Sequence, residues 1–287
     1  MSLTGAFAAL AGTGCAVGES PLWDAARQAL LWVDIPVGEI HELTPATGAR
    51  RLWRLEGPVG SIGLAADGRL VVARRHEVGL FERATGVYET LAQVLPPDPE
   101  LRLNDGKVGP DGAFWVGSMH DALRREPRGA LFRITPEGHV ERRRDALFTS
   151  NGLAWSADGR AMFHSDSRGC WIERWDFDPA TGAMSGQTRI ATPGEADGRP
   201  DGGAVDAQGY YWSAGVSAGC LNRYAPDGKL DQRIPVPVPA PTMPCFGGDG
   251  RLYVTSLRPA DGVAGPVLVA TATVTGAPCA LFAAGAL

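Results

Sequence analysis

Four oxygen-bearing side chains fall at equivalent places along this chain. Asn104, Asn151 and Asp201 each lie eight residues before a turn glycine: Gly112, Gly159 and Gly209. Glu19 lies ten before Ala29, where the turn Asp24 to Gln28 is longer. Carboxylate and amide oxygens, with no His or Cys among them, suit a hard divalent cation such as Ca²⁺, Mg²⁺ or Mn²⁺. Two further repeats place Gly60 and Thr242 at the same position. A single loop Asn needs only ordinary turn chemistry. Four oxygen donors in register point to a site carried on a rigid scaffold.

The elements that must position them are hairpins. Thr149 to Asp166 reads as strand, turn, strand, with Asp158-Gly159 at the bend. The returning strand recurs from Ala29, Asp67, Asp111, Asp158, Gln208 and Asp249, with turns spaced by 39 to 50 residues. A second hairpin follows each first one, for example Ile40 to Gly48, Leu80 to Gly86 and Leu131 to Gly138; Val267 to Gly276 is a weaker copy. Four antiparallel strands per unit and six units predict an all-β, six-bladed β-propeller. No segment has a useful helical period. The Pro-rich run Ile234 to Pro244 reads as blade edge and loop, so residues 1–287 are expected to form one domain. Ala6 to Leu10 is expected to close the ring by pairing into the last blade.

In a propeller the first strand of each blade lines the channel, and the second ends at the mouth where the first begins. Second-strand ends therefore add a second ring of candidates: Asp34, residues 74–76, Ser118 to Asp121, Ser165-Asp166, Ser213 and residues 256–258. His120 is well placed there, in a loop taken as Met119 to Arg128. His164 falls one residue short of such an end and reads equally as packing. His41 and His139 lie in outer strands. Trp32, Trp115, Trp155, Trp171, Trp175 and Trp212 read as core between blades.

Composition excludes several classes. A formal net charge of −5 argues against nucleic acid, and Arg142-Arg143-Arg144 reads as a solvated strand face. Residues are 44% hydrophobic, yet no run of about 18 apolar residues exists to span a membrane. Met1 to Gly14 lacks a basic n-region and reads as mature sequence. Five cysteines without C-x-x-C spacing point to a reducing cytoplasm and no structural zinc. No G-x-S-x-G elbow offers a serine nucleophile.

At these residues the chain resembles the gluconolactonase/regucalcin (senescence marker protein) family. The resemblance runs through G-E-S-P-L-W (Gly18 to Trp23), W-V-D-I-P (Trp32 to Pro36), R-L-N-D-G-K-V (Arg102 to Val108) and G-S-M-H-D (Gly117 to Asp121). It continues through S-N-G-L-A-W-S (Ser150 to Ser156), P-D-G (Pro200 to Gly202) and C-F-G-G (Cys245 to Gly248). It implies a six-bladed propeller with one divalent metal (Ca, Zn, Mn, Mg or Fe) that hydrolyses sugar aldonolactones in carbohydrate metabolism. It implies metal ligands at Glu19, Asn151 and Asp201, with Asp201 as proton acceptor and donor. Substrate contacts are expected from Arg102, Asn104, His120 and Asp121. One departure matters: where the regucalcin branch carries a further acidic residue after this G-S-M motif, the chain has Ala122, so substrate identity does not transfer. A Ca²⁺-binding propeller without catalysis, and a different metal-dependent esterase or organophosphatase, are the alternatives. The expected partner is a small sugar lactone, with no nucleic acid and no membrane, for a cytoplasmic monomer or weak oligomer.

Overall fold

The structure, a computed structural model, describes residues 2–259, 262 and 264–284. Residue 1 and residues 285–287, the ends of the expected domain, lie outside the described residues. Six antiparallel four-stranded sheets form the blades of a propeller; five run outward from the channel in chain order, and the sixth takes its outermost strand from the N-terminal segment. The innermost strands are Gly18–Asp24, Val59–Leu64, Leu101–Val108, Ser150–Trp155, Pro200–Val205 and Pro241–Phe246. Among the described residues helix is confined to two three-residue 3-10 turns, Ile35–Val37 and Glu195–Asp197. Among the described residues no helix is long and apolar enough to cross a membrane.

Burial falls from the channel outward. Every residue of Ser150–Trp155 is buried, whereas in the outermost strand of blade three, Val140–Leu147, all residues but Leu147 are exposed or half-buried. The fully buried Trp32, Trp115 and Trp212 fill the layers between blades. Trp115 meets Trp155 and Phe177 edge-on, with centroids 6.2 and 5.5 Å away. Each such side chain contributes about 1.5–3 kcal/mol through burial. The inter-blade layers therefore supply cohesion that the channel, lined by polar groups, does not. Arg144 is not merely a solvated strand residue: it lies over the Trp171 ring at 4.4 Å and pairs with the buried Glu173.

The last blade departs from the simple repeat. Val267 to Gly276 holds one strand, Leu268–Ala272, rather than a hairpin, and the fourth strand is the N-terminal Leu3–Ala9. The expected ring closure is thus present and covers the edge of Leu268–Ala272. The Pro-rich run is blade edge and loop, as expected: Ile234 and Pro235 end the outermost strand of blade five. Pro241 and Pro244 sit within the innermost strand of blade six, which pairs on one side only, so its channel-facing edge tolerates residues without an N–H.

Each innermost strand carries one extra residue relative to its partner, always at the same level. The register slips between Glu19 and Leu22, Val59 and Ser61, and Leu103 and Gly106. It slips likewise between Asn151 and Ala154, Pro200 and Gly203, and Pro241 and Met243. A bulge bends the strand and re-aims the side chain at that point. All six positions found by counting from the turns fall on these bulges.

Removing residues 2–10 should free the backbone edge of Leu268–Ala272 and lower the thermal midpoint, with loss of monodispersity on size-exclusion chromatography. An unchanged midpoint and elution profile would show that the closure is dispensable.

Candidate active site

The bulges turn Glu19, Asn104, Asn151 and Asp201 toward one mouth of the channel. Backbone conformation at the bulge is demanding: Ser20 has φ 48° and Gly152 φ 69°. A Cβ on Gly152 would fall 2.4 Å from Tyr211 Oη. At Gly60, the equivalent position in blade two, a Cβ would fall 2.7 Å from the Leu103 carbonyl oxygen. That blade therefore contributes backbone alone.

Neighbouring strands tie the bulges together, because buried main-chain groups must be paired. Thr242 Oγ1 donates to the Gly18 carbonyl at 2.6 Å, and the Ile62 N–H donates to Ser20 Oγ at 3.0 Å. Asn104 Nδ2 donates to the Ser150 carbonyl at 2.9 Å and lies 3.3 Å from Asn151 Oδ1. Lys107 Nζ reaches the Gly203 carbonyl at 2.8 Å.

Arg102 and Asp121 join this network. Arg102 Nη1 donates to Asn104 Oδ1 at 2.8 Å, and its Nε lies 3.2 Å from Asp121 Oδ2. Asn151 Nδ2 donates to Ser167 Oγ at 2.7 Å. His120 is placed elsewhere. It is the last residue of the strand Phe114–His120, not a loop residue, and it is buried. Its Nδ1 accepts the Glu126 N–H at 2.9 Å and its Nε2 lies 3.5 Å from Glu100 Oε2. His164 packs inside blade four, 2.8 Å from Ser150 Oγ; burial pushes its pKa down to about 3.

Much of the second ring serves the backbone. Asp34 accepts the N–H groups of Ala16 and Val17, and Asp166 those of Phe148 and Thr149. These carboxylates anchor the segments that lead into Glu19 and Asn151.

One residue that counting missed is Asp105. It is buried, its Oδ2 accepts the Leu153 N–H at 3.0 Å, and its Oδ1 has no partner. It thereby fixes the blade-four bulge from blade three. Its only trace in the sequence is an acid beside Asn104 in a strand that faces the channel.

Three carboxylates gather here without enough donors. Burial, then the charges of Asp201 and Asp105, holds the Glu19 carboxyl well above its usual range. Burial and Asp105 push Asp201 up to about 8, against the guanidiniums of Arg199 and Arg102. Apart from sheet pairing, the hydrogen bond made to Asp201 goes to its main-chain oxygen, from Ser165 Oγ at 3.5 Å. Among the described residues none reaches its carboxylate. Two crowded carboxylates beside an amide oxygen fit a hard divalent cation, with water completing the shell. Among the described residues no three of His, Cys, Asp and Glu cluster as ligands, so any ion here is held by mixed carboxylate and amide oxygens. A cavity of about 340 Å³ at the other end of the channel, crossed by Gly276 to Ala280, has no carboxylate in its lining. The crowded carboxylates lie instead at the mouth that carries the bulges.

The family described as SMP-30/Gluconolactonase/LRE-like region matches residues 17–258. The chain is 33% identical over 247 residues to regucalcin of Xenopus laevis, covering 84% of this chain and 83% of that protein. It is 34% identical over 244 residues to 6-deoxy-6-sulfogluconolactonase of Pseudomonas putida, covering 84% of each. A solved calcium-binding protein, regucalcin, from Agrobacterium tumefaciens superposes with a TM-score of 0.89 at 27% identity, covering 98% of this chain and 99% of that one.

Cation binding should release protons. At pH 7 a carboxyl with its pKa near 8 is largely protonated, and an ion must displace that proton. Calcium titrated into weakly buffered, chelator-treated protein should release about one proton or more per ion near pH 7, since Glu19 is raised as well as Asp201, and fewer at pH 9. Release that does not fall with rising pH would remove the crowded carboxyls from the ion's shell.

Proposed function

We propose, for a chain that belongs to the SMP-30/gluconolactonase/LRE-like family, that it hydrolyses the ring ester of a sugar aldonolactone to the aldonic acid. One divalent cation would be held by Glu19, Asn151 and Asp201. The observation that carries this reading is the Asp201 carboxylate, crowded by acids and free of hydrogen-bond donors beside an ordered polar network. The Pseudomonas putida relative is named as a lactonase and the Agrobacterium tumefaciens one as calcium-binding, which supports both halves of the proposal.

A lactone is a neutral cyclic ester. Its hydrolysis needs a polarised carbonyl, an activated water and a proton for the departing ring oxygen. A bound divalent cation supplies Lewis-acid polarisation of the carbonyl and acidifies water. Asp201 accepts the proton as the water oxygen bonds to the carbonyl carbon. It returns that proton to the ring oxygen as the carbon–oxygen bond breaks. Arg102, braced through Nε by Asp121 and through Nη1 by Asn104, has its Nη2 left for the oxyanion or a sugar hydroxyl. Asn104 holds Arg102 on one side and Asn151 on the other. A propeller that only stores calcium has no use for the braced Arg102, which favours the enzyme.

Asp201→Asn is nearly isosteric and keeps one carbonyl oxygen. With metal occupancy measured and saturating, kcat on the best aldonolactone should fall at least about 10²-fold, the usual contribution of a positioned acid–base group. A fully loaded variant near wild-type kcat would leave Asp201 as a ligand only and place the proton transfer elsewhere.

A further inference from the structure

The chain is acidic as a whole, with a formal net charge of −5. The mouth above Asp201 is not. Arg102, Arg125, Arg168 and Arg199 reach it from blades three, four and five. Asp121 is shared between two of them: Arg102 Nε lies 3.2 Å from its Oδ2 and Arg125 Nη1 3.7 Å from its Oδ1. Arg125 is steadied by donating to the His120 carbonyl at 2.6 Å. Arg199, two residues before Asp201, pairs with Glu195 at 2.5 Å, and its main-chain N–H donates to Ser217 Oγ at 2.8 Å. Arg168 is exposed, on the loop that Asp166 anchors. Among the described residues it has no carboxylate at ion-pair distance.

These guanidiniums feel one another. Burial first, then the like charges of Arg168 and Arg199, hold Arg125 below its usual range against the pull of Asp121. Four guanidiniums therefore share two carboxylates, Asp121 and Glu195. A divalent cation would balance Glu19 and Asp201, and Lys107 acts on Asp105, leaving the excess positive charge at the entrance. Like charges gathered at a partly desolvated mouth cost energy that an incoming anion relieves. Arginine forks, rather than lysine points, match a planar or tetrahedral oxyanion. A neutral aldonolactone leaves this field unused.

We infer that the lactone taken by this site carries an anionic group, a sulfonate, phosphate or carboxylate, on the carbon chain away from its ring ester. The inference rests on the lactonase reading above and names its substrate class. Arg168 and Arg199 become specificity-determining residues.

The test compares kcat/KM of metal-loaded protein on four lactones: 6-phosphogluconolactone, 6-deoxy-6-sulfogluconolactone, glucarolactone and neutral gluconolactone. At least one anionic lactone should exceed the neutral one by about tenfold or more, chiefly through KM, with the ratio shrinking as salt rises. The order among the three identifies the anionic group. Arg168→Ala and Arg199→Met should each reduce the anionic-to-neutral ratio at least about threefold. Hydrolysis with no anionic lactone preferred, or a ratio unmoved in both variants, overturns the inference while leaving the lactonase reading intact. Calorimetry with the open-chain acids separates the two failures. If no lactone is hydrolysed but 6-phosphogluconate binds at least about tenfold more tightly than gluconate, the lactonase reading fails and the anion preference stands. Equal binding overturns the anion preference as well.

Discussion

One extra residue in each innermost strand, at one level of the channel, governs this structure. An unbroken antiparallel ladder would alternate side chains strictly between the two faces of the blade. The bulges suspend that alternation where six strands converge and turn Glu19, Asn104, Asn151 and Asp201 onto the axis. Because each bulge leaves backbone groups without ladder partners, side chains from neighbouring blades take them up. Asp105 accepts from Leu153, Ser20 from Ile62, and Thr242 donates to Gly18. The bonds that place the functional oxygens thus also lock blade to blade.

The same convergence creates an electrostatic problem. Glu19, Asp105 and Asp201 are driven together in a place with little water, and burial raises all three. Nearby positive groups offset part of this: Arg102 and Arg199 act on Asp201, and Lys107 acts on Asp105. Among the described residues no donor reaches the Asp201 carboxylate. Buried charges stay tolerable only when paired or coordinated. The cation proposed above would relieve this crowding, and the aromatic layers between blades supply the cohesion that lets the channel keep such a cluster.

Much of this was legible in the sequence, for definite reasons. The turn glycines are regular because hairpins with positive φ favour them; Gly112, Gly159 and Gly209 have φ of 74°, 71° and 86°. Counting back from them reached Asn104, Asn151 and Asp201 because the bulge has the same length in those three blades. Glu19 required allowance for blade one, where Gln28 takes the left-handed position at φ 50°. What was not legible depends on distant partners. Asp105 matters through an N–H in the next blade, 48 residues away. The second ring looked like a set of ligand contacts, yet Asp34 and Asp166 are occupied by incoming backbone. His120 looked like a loop residue, but the strand extends to include it and turns its ring toward Glu100 and Glu126. Closure of the sixth blade by Leu3–Ala9 was anticipated, whereas the loss of the last hairpin that makes room for it was not.

The central claim is that six bulges assemble one cation site from three blades. Anomalous diffraction from crystals soaked in manganese tests it most directly. The account predicts a single strong peak at the channel mouth, within coordination distance of Glu19, Asn151 and Asp201 and otherwise ringed by water. A peak bounded by other residues, or none at the mouth in crystals of active protein at saturating manganese, would contradict it.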